Sequence, residues 1–349
     1  MTMNLATLDT QTRLLFTVEL KPLQGDRFQP TGFPSLGAAT YQTSRGQKLL
    51  VESAQSMANR LETTCWNAAE NKPIDVLAGI SHVTVNRKNA FLTDTMLEAH
   101  RLNSPYLLVN ERDSSFFDKL KQDLGGLEEG PIDRKLLARV LLQYDVGSLI
   151  HGVFLAKKNL AGGRLRVARA LSAFIEATGA RVAASGGVKN DHVNPSGVAK
   201  DGFANVPFAR DEFTADRIDC HINLDLAQIR GYGLGANVEH LLIVLALHRV
   251  RRLLDGDLRL RTACDLVPVD HEAIVATRPT GFRLPSLSAL EAELPEAIAA
   301  CKDDKGRKLM SQTVATFEGE LRKGKDEKSK HDEAKDDDDA DADSAEGEA

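Results

Sequence analysis

Residues 13–20 read RLLFTVEL, with apolar side chains at Leu14, Phe16, Val18 and Leu20 on every second position. Strict alternation puts those four on one face of an extended strand. A Gly/Pro-rich stretch follows at 22–37 (PLQGDRFQPTGFPSLG), with three prolines and three glycines. It reads as a fixed loop, because proline removes backbone freedom and glycine permits unusual turns. Working outward, 49–61 predicts a helix with an apolar stripe at Leu50, Ala54, Met57, Ala58 and Leu61, leaving Glu52, Ser56, Asn59 and Arg60 off it. Strand character marks 80–85 and 148–155 (SLIHGVFL), and Pro131 and Asp133 announce a helix over 134–143. Residues 164–178 predict a second strong helix closed by Gly179, followed by a short strand at 181–185. The polar stretch 186–217 is long for a structureless loop and reads as an arm or extended hairpin. A strand at 217–229, a glycine turn, a long helix at 237–254 and a closing strand at 258–266 complete the body, and 286–320 reads as helical. Without the insertions this is strand, helix, strands, long helix, strand: an α+β class, RRM-like (ferredoxin-like) β-α-β-β-α-β core.

The chain of 349 residues is 42% hydrophobic, enough for a sizeable core without disulfide or metal support. Cys65, Cys220, Cys264 and Cys301 show no C-x-x-C spacing, which argues against a zinc ribbon or redox dithiol. The start lacks a basic stretch followed by an apolar run, and the longest apolar run is Leu241 to Leu247. That is far below the roughly 20 residues that span a bilayer, so a cytoplasmic protein without a membrane partner is expected. The formal charge of −6 hides an asymmetry, because residues 324–349 carry twelve Asp or Glu against four Lys. The body through Lys323 is therefore slightly basic, and the tail is too poor in apolar side chains to order itself. It is read as a solubilising tail or as a mobile anion competing for basic surface.

Residues 146–175 contain Lys157, Lys158, Arg164, Arg166 and Arg169 and no acid, in a chain that is 27% charged. Solvated faces usually mix signs, so the run is a candidate phosphate-binding surface, with Arg166 and Arg169 on one helical face. The bland alternative is a face balanced by acids from elsewhere. Arg249, Arg251 and Arg252 suit the C-terminal end of the long helix, while Arg259 and Arg261 share one face of the closing strand and face solvent, RNA or buried acids. In the 25–37 loop, Arg27 and the amides are suited to phosphate, and Phe28 and Phe33 to the core or to base stacking. Arg230 to Gly235 (RGYGLG) lacks the Lys-Ser/Thr of a P-loop and fails the dinucleotide fingerprint. It is a turn that leaves helix amides free, with small-molecule phosphate binding as the sharper reading. No metal or cofactor is expected. Adjacent Cys220 and His221 face opposite ways on a strand, and His240 and His248 stand two turns apart.

Three stretches together resemble one known family: RFQPTGFP at 27–34, LVESAQSMANRL at 50–61, and NLDL at 223–226 through RTACD at 261–265. They look like the RAMP-type backbone subunit of type I-G (formerly I-U) CRISPR effector complexes, the Cas-seven family of Cascade. The resemblance runs from about residue 13 to 285.

The resemblance implies an RRM-like palm over 1–285 with large finger and thumb insertions, the helical finger region at 102–180 and the thumb-like arm at 186–217. A C-terminal helical segment at 286–323 and a disordered acidic tail at 324–349 lie outside it. It implies CRISPR RNA and target DNA as partners, together with copies of the chain itself, other Cascade subunits (a Cas-five/Cas-six-like fusion and a large subunit) and a recruited helicase-nuclease. The chain itself would be non-catalytic. Carried onto this sequence, Arg27, Gln29, Thr31, Ser53, Ser56, Asn59 and Arg60 would line the RNA path. Lys189, Lys200 and Phe203 would meet the strand from the arm, with Arg230 as a further contact. Lys157, Lys158, Arg164, Arg166 and Arg169 would face RNA or DNA backbone. With aromatics at 5% and no RNP signature, a backbone grip is favoured over base stacking. The main rival is a RAMP-type endoribonuclease cutting guide or target RNA, with His82, His151, Asp94 and Asp191 as unpaired candidates.

Overall fold

The computed structural model describes residues 5–33, 37–44, 46–108, 115–125, 127, 130–198, 200 and 204–319. Phe203 and the acidic tail lie outside the described residues, as does the side chain of Phe33. The centre is an antiparallel sheet built on β1 (Arg13–Pro22), β2 (Thr40–Thr43), β3 (Gly46–Glu52) and β4 (Leu171–Thr178). A two-stranded ribbon, β5 (Arg181–Lys189) and β6 (Val206–Thr214), leaves it, and β7 (Arg217–Asp225), β8 (Arg259–Arg261) and β9 (Cys264–Pro268) complete it. The seven strands stand in the order β8-β9-β1-β7-β4-β3-β2. Alternation decides the face: Leu14, Phe16, Val18 and Leu20 of β1 are buried with Ile218, Cys220, Ile222 and Leu224 of β7. Helices α1 (Ala54–Thr63) and α2 (Ala236–Asp255) belong to this side, with Met57 and Leu61 of α1 and the apolar stripe of α2 in the same core.

Several sequence expectations are corrected. Residues 49–52 continue a strand, and the helix begins only after Ser53, whose hydroxyl accepts from the Ser56 amide at 3.3 Å. Residues 164–178 are not a helix. They form a short strand, Leu165–Val167, and then β4, where Leu171, Ala173, Ile175 and Ala177 alternate into the core. Gly179 has φ 64 and turns β4 into the ribbon, so it caps no helix. Residues 146–151 are helical where a strand was expected, and Val153–Leu155 alone is extended. The expected strand 217–229 stops at Asp225, which caps a helix over Leu226–Gly231. The closing strand is two strands, β8 and β9, turned at Ala263 with φ 59. After the helix Leu287–Ala300, the chain forms a strand, Gln312–Thr316, parallel to His82–Arg87. The region 102–180 is α-helical only as far as His151, and its residues Leu171–Thr178 are a central strand of the sheet.

The ribbon is thin. It pairs from Arg181↔Thr214 to Lys189↔Val206. Its middle is Ala183, Ala184, Ser185, Gly186 and Gly187, and Val182, Val188 and Phe208 are more than half exposed. Two strands without a packed layer are marginally stable in water.

A buried group of charges joins α1, the turn at Arg101–Asn103, the helix Val146–His151 and α2. Glu62 pairs with Arg101 at 2.5 Å and with Arg249 at 3.8 Å, all within the interior. Asp145 caps the 146–151 helix, and its carboxyl is pushed up to about 6 by burial and by Glu62. Burial, helped by Arg249 and Arg101, holds the His151 pKa well below the ordinary range. Burial with Arg252 and Arg249 holds His248 at about 3. These histidines stay neutral in the fold and take protons when unfolded, so their contribution falls as pH drops below about 6.5. Asp145 acts oppositely, taking its proton first in the folded chain as pH drops through about 6. Two histidines against one carboxyl predict a lower urea midpoint at pH 5 than at pH 7. A higher midpoint at pH 5 would contradict this balance.

Candidate nucleic-acid interface

The loop after β1 is fastened on three sides. Phe28 and Phe213 exchange backbone hydrogen bonds of 2.9 Å each, which ties the loop to the foot of the ribbon. The Gln29 amide donates to the Ala263 carbonyl at 2.8 Å, at the β8–β9 turn, and the Thr31 amide to Val51 at 3.0 Å, at the end of β3. Phe28 is 1% exposed, so it belongs to the core and not to a base-stacking surface.

Around this loop the arginines converge on buried carboxylates. Glu52 is 2% exposed and lies between Arg261, in direct contact, and Arg60 at 3.5 Å. Arg261 also donates to the Gln29 carbonyl at 2.8 Å, and Arg60 to the carbonyls of Arg259, at 3.2 Å, and Leu260. Glu212 is held by Arg210 at 2.5 Å, with Arg27 at 3.9 Å. Burying Glu52 beside two guanidiniums locks α1, the loop and the β8–β9 turn into one edge. Each cation keeps some exposure: about a quarter of the Arg60 and Arg261 side chains, half of Arg27 and most of Arg259. A surface of partly exposed arginines fixed by buried acids is preorganised for phosphate, since the guanidinium fork suits its geometry.

Among the expected RNA contacts, Arg27, Gln29, Thr31 and Arg60 come together at this edge, with Ser53, Ser56 and Asn59 on the adjoining α1. Asn59 is exposed, while Ser53 is spent on capping and Ser56 is half-buried. Lys189 and Lys200 are exposed on the ribbon and its tip loop. Arg230 lies elsewhere. It donates to the Gln11 carbonyl, just before β1 begins, and so sits at the opposite end of that strand from the loop. The strand separates them by about 30 Å at roughly 3.3 Å per residue.

The basic run 157–169 also belongs to that far end. The Ala170 amide donates to Ile150 at 2.9 Å, and the Asp225 amide to Ala170 at 2.7 Å, beside the Arg13–Asp225 ion pair of 2.8 Å. Lys158 and Arg166 are exposed and Lys157 half-buried. Arg164 braces a neighbouring loop, donating to Ala161 at 2.9 Å and to Leu127 and Gly130 at 3.4 Å each. Arg169 adds its charge to the field on buried His151. Arg166 and Arg169 therefore share no helical face: one lies on a strand and the other beside the buried charges.

Sequence reasoning missed Glu52 and Glu212. Glu52 was placed on a polar helix face, whereas it ends β3 out of step with the alternation of Leu49 and Val51 and is buried beside Arg60 and Arg261. It also left His82 and Asp94 unpaired, although they meet at 2.7 Å. Both are buried, and Asp94 accepts further from Thr84 at 2.8 Å and the Met96 amide at 3.0 Å. Asp191 accepts from the amides of Val193, Asn194 and Ala204, which hold its carboxyl below the usual range. Among the described residues no group of three or more His, Cys, Asp or Glu is placed to hold a metal ion, and no helix is long and apolar enough to cross a membrane.

A mixed α/β chain with a curled antiparallel sheet and an arginine-lined edge defines the class. Within it, residues 14–182 match the family described as CRISPR-associated protein GSU0053. No curated protein matches the chain. Among solved structures, a chain of a "CRISPR RNA-guided surveillance complex, pre-nicking" is similar at 13% identity and a TM-score of 0.37, covering 73% of each chain. Csc2 from Thermofilum pendens is similar at 9% identity and a TM-score of 0.31, covering 82% of this chain and 76% of that one. At these TM-scores neither likeness establishes a shared fold.

Proposed function

We propose that this chain is a Cas7-like, non-catalytic backbone subunit of a type I-G Cascade complex, copies of which hold CRISPR RNA by its phosphates while target DNA pairs with the exposed bases. The observation that carries the reading is the CRISPR-associated family match over 14–182, which contains the arginine-lined loop and α1. An RRM-like palm is supported by the order of β9, β1, β7 and β4, with α1 and α2 on one face. The β5–β6 ribbon is the proposed thumb, and its foot is hydrogen-bonded to the proposed grip. Guides vary while the protein does not, so contacts belong on phosphate and 2′-hydroxyl. Base pairing then supplies specificity. The other Cascade subunits and a helicase-nuclease would join this assembly.

The test is the ratio of absorbance at 260 and 280 nm of the purified protein before and after RNase. Co-purified RNA in a polydisperse assembly supports the reading, and an RNA-free monomer that ignores added guide sinks it. The far-end surface is proposed for RNA or DNA backbone. Replacing Lys157 and Lys158 together by Ala is expected to weaken every guide about equally, by roughly tenfold at moderate salt for two phosphate contacts. A loss confined to one guide sequence, read by filter binding, would count against it.

A second reading, cleavage of guide or target RNA, draws on the His82–Asp94 pair. Its burial, and the three amides that occupy Asp191, favour structural roles for these groups. Incubation with guide and complementary RNA, with and without Mg²⁺, is expected to leave both strands intact. Specific cuts would overturn the non-catalytic reading.

A further inference from the structure

The acidic stretch 324–349 is the largest charge feature to which RNA holding gives no task. Twelve carboxylates stand there against four lysines, and from Asp336 to Glu348 there are eight acids and no cation. Its only apolar side chains are alanines, so what can recognise it is positive charge. The body offers two such surfaces, the arginine edge and the basic run at the far end.

The course of the chain favours the edge. The strand Gln312–Thr316 runs parallel to His82–Arg87. At the start of His82–Arg87, the Val146 amide donates to Ser81 Oγ at 2.9 Å, beside the helix that leads into the basic run. The chain moves away from there. The Phe317 amide donates to the Asn86 carbonyl at 2.8 Å, and Arg87 Nε donates to the Gly319 carbonyl at 3.3 Å. Asn86 pairs with Phe91, whose ring centroid lies 6.0 Å from that of Trp66, just beyond α1. α1 then carries Arg60 to the edge. With at most 3.8 Å per residue, and less in the helix, this path places Gly319 within roughly 50 Å of Arg60. Residues 320–336 span about 55 Å when extended, so the acids from Asp336 onward reach the edge.

The edge is suited to receive them. The side chains of Arg27 and Arg259 are 55% and 80% exposed, and their carboxylate partners stand off at 3.9 and 3.8 Å. Arg60 and Arg261 lie beside them, fixed by Glu52. A guanidinium takes a carboxylate in the same forked way as a phosphate. Each exposed pair is weak, but a tether supplies the acids at an effective concentration in the millimolar range. Several such pairs hold loosely and yield to a longer polyanion.

We propose that residues 324–349 lie on the arginine edge when no RNA is there, as an internal polyanion that RNA displaces. Short RNA, with few phosphates, loses this competition, and a long guide wins it. The contact stands whatever the edge holds, whereas its effect on RNA rests on the phosphate-grip reading.

The contact is tested on the full chain freed of RNA and carrying Arg259→Lys or Arg27→Lys. A water-soluble carbodiimide, applied at high dilution, joins a lysine amine to a neighbouring carboxylate. Mass spectrometry is expected to find position 259 or 27 joined to acids of 326–348, and Lys158 at the far end joined to them at least several-fold less. No such cross-links, or equal yields at Lys158, would overturn the proposal. Cross-links between isotope-labelled and unlabelled chains would place the acids on a second copy and overturn it too. The effect on RNA is read with the chain truncated after Lys323. It is expected to bind an RNA of about twelve nucleotides roughly tenfold more tightly than the full chain at about 50 mM salt. The difference is expected to close near about 0.5 M, where exposed charges are screened. Equal affinities at low salt would overturn the regulatory role. Cross-links that form in a chain that binds no RNA would leave the contact standing and end the phosphate-grip reading.

Discussion

RNA held by this chain is expected to be released steeply as salt rises. A grip made of phosphate contacts sheds condensed counterions, so the logarithm of affinity falls linearly with the logarithm of salt concentration, by nearly one for each phosphate neutralised. An arginine edge and ribbon engaging about six phosphates would lose roughly a thousandfold in affinity between 50 and 200 mM salt. Fluorescence anisotropy of a labelled guide measures this directly. Arg27 and Arg259 are the informative substitutions, because both are largely exposed and their carboxylate partners, Glu212 and Asp265, stand at 3.9 and 3.8 Å. Arg27→Ala or Arg259→Ala is expected to lower the salt slope by about one and to weaken all sequences alike. Arg60 and Arg261 would mislead, since both also hold Glu52 and neighbouring carbonyls. A salt-independent affinity would end the phosphate-grip account.

Glu62→Gln is expected to be the most damaging single change in the interior. The carboxylate is 1% exposed and serves two buried guanidiniums, Arg101 and Arg249. Removing one partner from a buried ion pair leaves the other uncompensated, at a cost of about 3–5 kcal/mol. Much of a typical domain's stability is of that size. Urea unfolding followed by circular dichroism reads the loss. The matched control is Asp216→Asn, which breaks the Arg181–Asp216 pair at 2.8 Å on the surface, where both side chains are more than half exposed. That change is expected to cost less than about 1 kcal/mol. Similar losses for the two variants would mean that Glu62 does not carry the buried charges.

The parts legible in the sequence are those where local pattern and tertiary role agree. β1 alternates cleanly, α2 carries an apolar stripe over five turns, and Asp133 acts as a cap where the chain needs one. The stretch 164–178 misled because Leu, Ala and Arg favour helix, and because Leu165, Ala168 and Ala170–Leu171 fit a 3.6-residue period nearly as well as a two-residue one. Pairing with β7 and β3 decided the matter, a long-range contact that no local window contains. The same holds at the candidate interface. The loop and α1 stood out in the sequence, whereas Glu52 and Glu212 were invisible until strand register set which charges face inward. His82 and Asp94 are twelve residues apart and meet only through the hairpin register that sets Thr84 opposite Asp94. The wide separation of Arg230 from the 25–33 loop likewise depends on where β1 begins and ends.

The ribbon's poverty of side chains has a kinetic meaning. With Ala183, Ala184, Ser185, Gly186 and Gly187 along one strand and no layer behind them, opening its amide ladder exposes little apolar surface. In the isolated chain those amides should trade their protons for deuterium within moments, while β1 and β7 keep theirs. Once the ribbon lies against another surface, the same amides should slow by orders of magnitude. The arm is thus a clock written into the backbone, reporting by its own isotope uptake when a solitary subunit has become part of something larger.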